Sequence, residues 1–354
     1  MIILRIRKNK VSEHEKWFDE VQPSHERLTE SVVTIIENLL KSKGVDYLSI
    51  SGRTKEKKSA LEKIARKKYK EPSKEMTDLS GIRIIVFIES DIKKVSQIIE
   101  DAFNIDKENS SNQDKKLSVD RIGYRSVHFV CDIGDERASL PENDGLKGLK
   151  FEFQVRTILQ HAWAELAHDN SYKFKEGLPP DLERRLYLYA GMLEIADRGL
   201  NELSQEVTEY RKSIHVGINS GDLEHAIDII SLDEFMRNWA NKNNINLMFT
   251  PEPSVDISTV IDELHDFGVT TIKRLSDIIP EDYANKIKVL PESPTIMGII
   301  RDWMILNDLE LYHEIADFAW QIAERDLRYF EQIMDSNTYD KFCNVFSDWM
   351  IDKE

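Results

Sequence analysis

Four short groups within the first 170 residues have the side chains and spacing of phosphate chemistry. Arg53 and Lys55, followed by Ser59, stand where an extended stretch gives way to a helical one. Two cations and a hydroxyl beside a helix N-terminus suit a polyphosphate, because the helix end adds oriented N–H groups and partial positive charge. Asp78-Leu-Ser-Gly81-Ile-Arg83 precedes an apolar run. Its carboxylate could hold a divalent cation, its glycine allows close backbone approach and its arginine could neutralise phosphate. A helix-to-strand turn carrying a surface ion pair fits the same residues. In Gly123-Tyr124-Arg125-Ser126-Val127-His128, alternation puts Tyr124, Ser126 and His128 on one face, and the aromatic ring suits either stacking on a nucleobase or burial in a core. In Glu152-Phe-Gln154-Val-Arg156-Thr157, the three polar side chains share one face and Phe151, Phe153 and Val155 the other. A carboxylate there could take a proton from a hydroxyl beside a metal ion.

The elements that must position these groups can be read from hydrophobic period. Residues 12–43 repeat apolar side chains at helical steps, with Pro23 expected to break or kink the segment. Tyr47–Ser51, Ile82–Ile88, Ser126–Asp132 and Leu149–Val155 read as strands, and 56–70, 91–103, 158–171 and 181–213 as helices. Strands alternating with helices predict an α/β fold around one mixed sheet. The polar stretches 105–121 and 134–148 read as loops, each a candidate lid or substrate loop, with a tolerated surface insertion as the alternative, more so for the second. His161, Glu165 and His168 fall on one side of the helix after Arg156, where hydrogen-bonding support is favoured over zinc binding. Most of the lysines and arginines from Lys57 to Lys70, Lys63 among them, are expected to form a solvated helix face, with a contact to phosphate or RNA backbone as the second reading.

Beyond residue 213 the pattern is helical throughout. Ser231 and Glu234 fit a capping box, and Ser293-Pro294 a helix start. Leu264–Ile279 reads as two short helices joined at Gly268, and Pro251 and Pro253 mark a linker. The chain of 354 residues suffices for two domains, expected at 1–215 and 216–354. Charge divides with them. Residues 1–200 carry 35 Lys and Arg against 34 Asp and Glu, or +1, so the remainder of the chain, at a total of −16, carries −17. Such a field repels RNA and favours a basic surface on this chain or on another protein. Cys131 and Cys343 are too few for a disulfide framework and suggest a reducing compartment. Apolar runs fall short of the roughly 18 residues of a membrane span, and a cytoplasmic location without membrane contact is expected.

Together and in order, the four groups resemble the synthetase domain of the RelA/SpoT family over residues 12–215, most specifically in FEFQVRTILQHAWAELAHD. The resemblance implies a nucleotidyltransferase-like mixed sheet flanked by helices, followed here by an all-helical C-terminal domain. It implies transfer of pyrophosphate from ATP to the 3′-hydroxyl of GDP or GTP, giving (p)ppGpp in a stringent response. Arg53, Lys55, Ser59 and Arg83 would bind ATP. Asp78 and Glu152 would hold Mg2+ and do the catalysis, with Glu152 as base. Tyr124, His128, Gln154 and Arg156 would form the acceptor pocket. Too few residues precede Arg53 for the hydrolase domain of bifunctional members, so no hydrolase activity is expected. Where many members carry lysine with asparagine or serine before the glycine, this chain has Asp120-Arg121-Ile122. A second reading is therefore a toxin-like relative acting on the tRNA 3′ end or on adenine nucleotides, with residues 216–354 as a fused antitoxin or phage-sensing module. The C-terminal region is expected to contact its own synthetase domain or another protein, with self-assembly left open.

Overall fold

The computed structural model describes residues 2–112, 126–173, 179–248, 257–288, 293–316, 322 and 324–350, with the side chains of 2–12, 111, 112, 167–173 and 325 left aside. The chain divides into two compact units, Met1–Ser204 and Gln205–Glu354.

The first unit opens with helix α1 (Ile2–Ser42), which runs unbroken through Pro23. The expected break does not occur, because the helix is buried on both sides of the proline. Phe18 packs with Ala60, Ile64, Met76 and Leu79, while Leu28, Val32, Ile36 and Leu40 enter the main core at four-residue steps. Gly44, at φ +63°, ends the helix with Val45 N–H donating to Leu40 O at 3.0 Å. Then come β1 (Ser49–Thr54), α2 (Lys57–Lys67), α3 (Pro72–Glu75), β2 (Ser80–Val86), α4 (Glu89–Ala102), β3 (Asn104–Ile105), β4 (Ser111–Asn112), β5 (Val127–Asp132), α5 (Asp135–Ala138), β6 (Phe151–Thr157), α6 (Ile158–Lys173) and α7 (Pro180–Ser220). The sheet order is β1-β2-β6-β5-β3, with β4 also on β5. Only β2 and β6 run parallel; the other described pairs are antiparallel.

Alternation divides the sheet into two unlike faces. Ile82, Ile84 and Val86, Phe151, Phe153 and Val155, and Val127, Phe129 and Cys131 form the core with α1 and α4. Phe103, Phe151 and Phe153 meet edge-on, with ring centroids 5.1–5.5 Å apart. At Gly52, a Cβ would meet Thr29 Cγ2 at 2.6 Å and Val33 Cγ2 at 2.8 Å, so the α1–β1 approach requires glycine.

Both expected loops are more structured than their polarity suggests. The first begins in β3 and β4, while residues 113–121 lie outside the described ones. The second contains α5 and a single helical turn at Pro141–Asn143. Leu146 sinks into the core, Asn143 Nδ2 donates to Arg137 O at 3.0 Å, and Arg27 reaches Glu142 O at 3.1 Å. One well-placed leucine and local backbone hydrogen bonds order a segment that lacks any hydrophobic period.

The second unit is helical: the end of α7, then α8 (Ile229–Asn243), α9 (Ile257–Asp266), α10 (Ile272–Asp277), α11 (Tyr283–Ile287), α12 (Ile296–Asn307), α13 (Leu309–Ile315), α14 (Glu324–Ile333) and α15 (Ser336–Val345). Trp239, Tyr283 and Trp303 centre its core, and Gly268 at φ +83° turns the chain between α9 and α10. Two expected helix starts shift. The capping box of α8 is Asp228 with Ser231, because the carboxylate accepts Ser231 N–H while Ser231 Oγ takes Asp228 N–H; Ser231 is the third helical residue rather than the cap. Helix α12 is capped by Thr295, whose hydroxyl accepts Gly298 N–H at 3.0 Å, two residues beyond the expected Ser293. The prolines at 251 and 253 lie outside the described residues.

Candidate active site

The face of the sheet opposite the core carries the polar residues singled out by spacing. Register sets them in rows: Arg53, Gly81, Glu152 and Val130 from β1, β2, β6 and β5, then Ser51, Arg83, Gln154 and His128. Arg156 follows beside Ile85. A Cβ on Gly81 would meet nothing nearer than Arg53 O at 3.8 Å. Packing therefore does not demand this glycine; its effect is to leave bare backbone between Arg53 and Glu152, where a ligand can approach.

His128 stands diagonally across the strands from Glu152, and its Nδ1 hydrogen-bonds Glu152 Oε1. His128 Nε2 is buried with no hydrogen-bond partner among the described residues. Gln154 Oε1 accepts from Arg156 Nη2 at 3.1 Å. Burial and the neighbouring Arg83 cation lower the Arg156 pKa to about 10, against the opposing pull of Glu165. Arg83 Nη1 lies 3.1 Å from Glu165 Oε1 on α6, and His161 Nδ1 lies 3.6 Å from the same oxygen. His161 is shifted down by burial first and by Arg83 second. Arg83 and Arg156, with Arg53 on the same face, supply guanidinium groups suited to an anion.

Asp78 sits just before β2, across from Lys55 at the end of β1, where Lys55 N–H donates to Leu79 O at 2.8 Å. Its Oδ2 accepts from Lys55 Nζ at 2.7 Å and Lys63 Nζ at 2.6 Å. Burial pushes the Asp78 carboxyl up, but the two lysine hydrogen bonds and charges outweigh it and hold the group below the ordinary range. Its Oδ1 is buried with no hydrogen-bond partner among the described residues. Lys63 departs from the solvated face expected of most of these cations. It follows Ala60 and precedes Ile64, both buried, so it flanks the inward side of α2. That position in the helix was the only available signal of its role. Arg53 and Ser59 are exposed. Tyr124 lies outside the described residues, as does the side chain of His168.

Residues 52–177 match the family model described as the region found in RelA / SpoT proteins. The GTP pyrophosphokinase YjbM of Bacillus subtilis is 29% identical over 164 residues, which cover 45% of this chain and 73% of that protein. The GTP pyrophosphokinase YwaC of the same organism is 29% identical over 163 residues, 44% of this chain and 72% of its own. Among solved structures, the small alarmone synthetase 1 from Bacillus subtilis aligns with 55% of this chain and 99% of its own, at 24% identity and a TM-score of 0.47. Residues 52–177, which hold all four groups of site residues, are thus similar to the region found in RelA / SpoT proteins, and the chain has GTP pyrophosphokinases among its relatives.

Proposed function

We propose that the N-terminal unit transfers the pyrophosphate of ATP to the 3′-hydroxyl of GDP or GTP, forming (p)ppGpp and AMP, without hydrolase activity. The observation that carries this reading is the polar sheet face, on which Glu152, with His128, stands in register with the bare backbone at Gly81 and one row from Arg83. The Glu152 carboxylate takes the acceptor hydroxyl proton, and His128 holds that carboxylate in place. The 3′-oxygen then bonds the β-phosphorus, the bond from that phosphorus to the bridging oxygen of AMP breaks, and AMP departs with the electron pair. Lys55, Lys63, Arg53 and Arg83 hold the phosphates in line and neutralise their charge, which is most of what such a transfer requires. Gln154, Arg156 and Tyr124 form the acceptor side.

Asp78 and Glu152 are the residues that would hold Mg2+. The buried Oδ1 of Asp78, without a hydrogen-bond partner among the described residues, fits that role, and two carboxylates with substrate phosphates are a usual magnesium donor set. When bound, the ion would neutralise charge on the transferred group.

The departure at Asp120-Arg121-Ile122 favours a second reading, in which the acceptor is an adenine nucleotide or the tRNA 3′ end and residues 216–354 are an antitoxin-like module. One experiment tests both. The full chain is incubated with γ-labelled ATP and, separately, GDP, GTP, ATP or deacylated tRNA. Label on GDP and GTP supports the first reading, label on ATP or tRNA alone supports the second, and label on none removes both. Residues 216–354 are proposed to regulate the transfer, and a rate unchanged in a folded chain lacking them would refute that role.

A further inference from the structure

Both helices that leave the carboxyl ends of the parallel pair are tied at their first turns to side chains of α7. Strands β2 and β6 end in register at Val86 and Thr157, and α4 and α6 follow them. Thr157 caps α6 by accepting Gln160 N–H at 3.1 Å, while Gln160 Oε1 accepts Thr157 N–H at 3.2 Å. Asp197 Oδ2 in turn accepts from Thr157 Oγ at 2.7 Å and Gln160 Nε2 at 3.3 Å. At α4 the cap residue is Ile88, which has no acceptor, and Ser90 N–H donates instead to Asn201 Oδ1 at 2.8 Å.

Asp197 and Asn201 are one helical turn apart on α7, so a single helix face supplies both acceptors. Asp197 is 3% exposed, and burying a carboxylate is costly unless it is paired. Placing that charge at a helix N-terminus offsets part of the cost. The consequence for chemistry runs through α6: its Glu165 pairs with Arg83, and both bear on the Arg156 guanidinium.

We propose that Asp197 is a positioning residue of the transfer reaction, and Asn201 its counterpart at α4. By fixing the first turn of α6, Asp197 sets where Glu165 holds Arg83 and how strongly Arg83 and Arg156 present their charge to an anionic substrate. This rests on the pyrophosphokinase reading above for its substrate, and on hydrogen bonds of the fold for its geometry.

The test uses the full chain with Asp197→Asn, Glu165→Gln and the double variant, plus Asn201→Leu. Hydrogen exchange at the first-turn amides reports the caps whether or not the protein turns over. Asp197→Asn should speed exchange in the first turn of α6 and leave α4 protected, and Asn201→Leu should do the reverse. ATP affinity and kcat/KM should fall about tenfold in Asp197→Asn and in Glu165→Gln, and the double variant should fall no further than the worse single one. Additive losses would reduce Asp197 to general stability and overturn the proposal. So would wild-type ATP affinity in Asp197→Asn despite faster exchange at α6. If the parent chain labels no acceptor, the functional reading fails separately, while ATP affinity still decides the role of Asp197.

Discussion

Lys63 shows how little a side chain's own type says about its task. It belongs to a run of cations from Lys55 to Lys70, yet its ammonium shares a carboxylate oxygen with Lys55 while Arg66 and Lys67 stay exposed. Hydrogen bonds to a charged group contribute about 1.5–3 kcal/mol, so Lys63→Ala should lower kcat/KM for ATP by roughly ten- to a hundredfold. Lys67→Ala on the same helix should leave it unchanged. Equal losses in the two variants would mean that α2 acts as a diffuse positive field instead. Tyr124 gives a prediction of another kind. Stacking on a base is worth about 1–3 kcal/mol, so Tyr124→Ala should raise KM for the acceptor about tenfold or more with KM for ATP unmoved, and Tyr124→Phe should restore it. A rise in KM for ATP would put the ring on the donor side.

At the level of elements, the approach of β1 to α1 is as tight as the fold allows. Gly52→Ala forces a methyl to within 3 Å of Thr29 and Val33. Overpacking of this kind costs about 1–3 kcal/mol, which denaturant unfolding of the first unit should show as a lower midpoint. An unchanged midpoint would mean that α1 yields. The strands that bear the site were legible because FEFQVRT alternates without a break, and one sheet face cannot be both apolar and polar. Lys63 was only partly legible: its place between Ala60 and Ile64 is the signal, but a helix that faces a strand end looks from sequence much like one that faces water. Asp228 and Ser231 are both small acceptors, so the sequence alone does not tell the cap from the third helical residue, whereas the backbone angles do. Pro23 does not break α1. A missing N–H is a local loss, and the burial of Phe18 on one side and Leu28 on the other outweighs it.

Over the whole molecule, two buried groups make the units respond to acid with opposite signs. In the first unit, burial lowers the pKa of His25 to about 4, and its Nδ1 shares a 2.9 Å hydrogen bond with Ser80 Oγ. The unfolded chain therefore takes up that proton first, near pH 6.5. Stability is present above that pH and lost as pH falls towards 4, by roughly 3 kcal/mol. In the second unit, burial raises Asp302 to about 7 even though Tyr283 and Tyr329 both donate to its Oδ2. Here the folded state keeps the proton, so the contribution is full below about pH 4 and lost as pH rises towards 7. Calorimetry of the full chain should find that His25→Gln flattens the pH dependence of one transition between pH 4 and 6.5, and Asp302→Asn that of the other, in the opposite sense. A common slope for both transitions would contradict the assignment.

One face of this sheet is proposed to move pyrophosphate intact, with Glu152 as its base. The most direct measurement follows AMP and labelled acceptor together, with γ-labelled ATP and GDP or GTP, in the parent chain and in Glu152→Gln. The amide keeps the shape of the side chain but can take no proton and offers no full charge. The parent should form AMP and labelled acceptor in equal amounts, and the folded Glu152→Gln chain should lose at least a hundredfold in rate, in keeping with roughly 10²–10⁴ for general base catalysis. Free labelled phosphate or pyrophosphate in place of labelled acceptor, or near-parental turnover in Glu152→Gln, would contradict it.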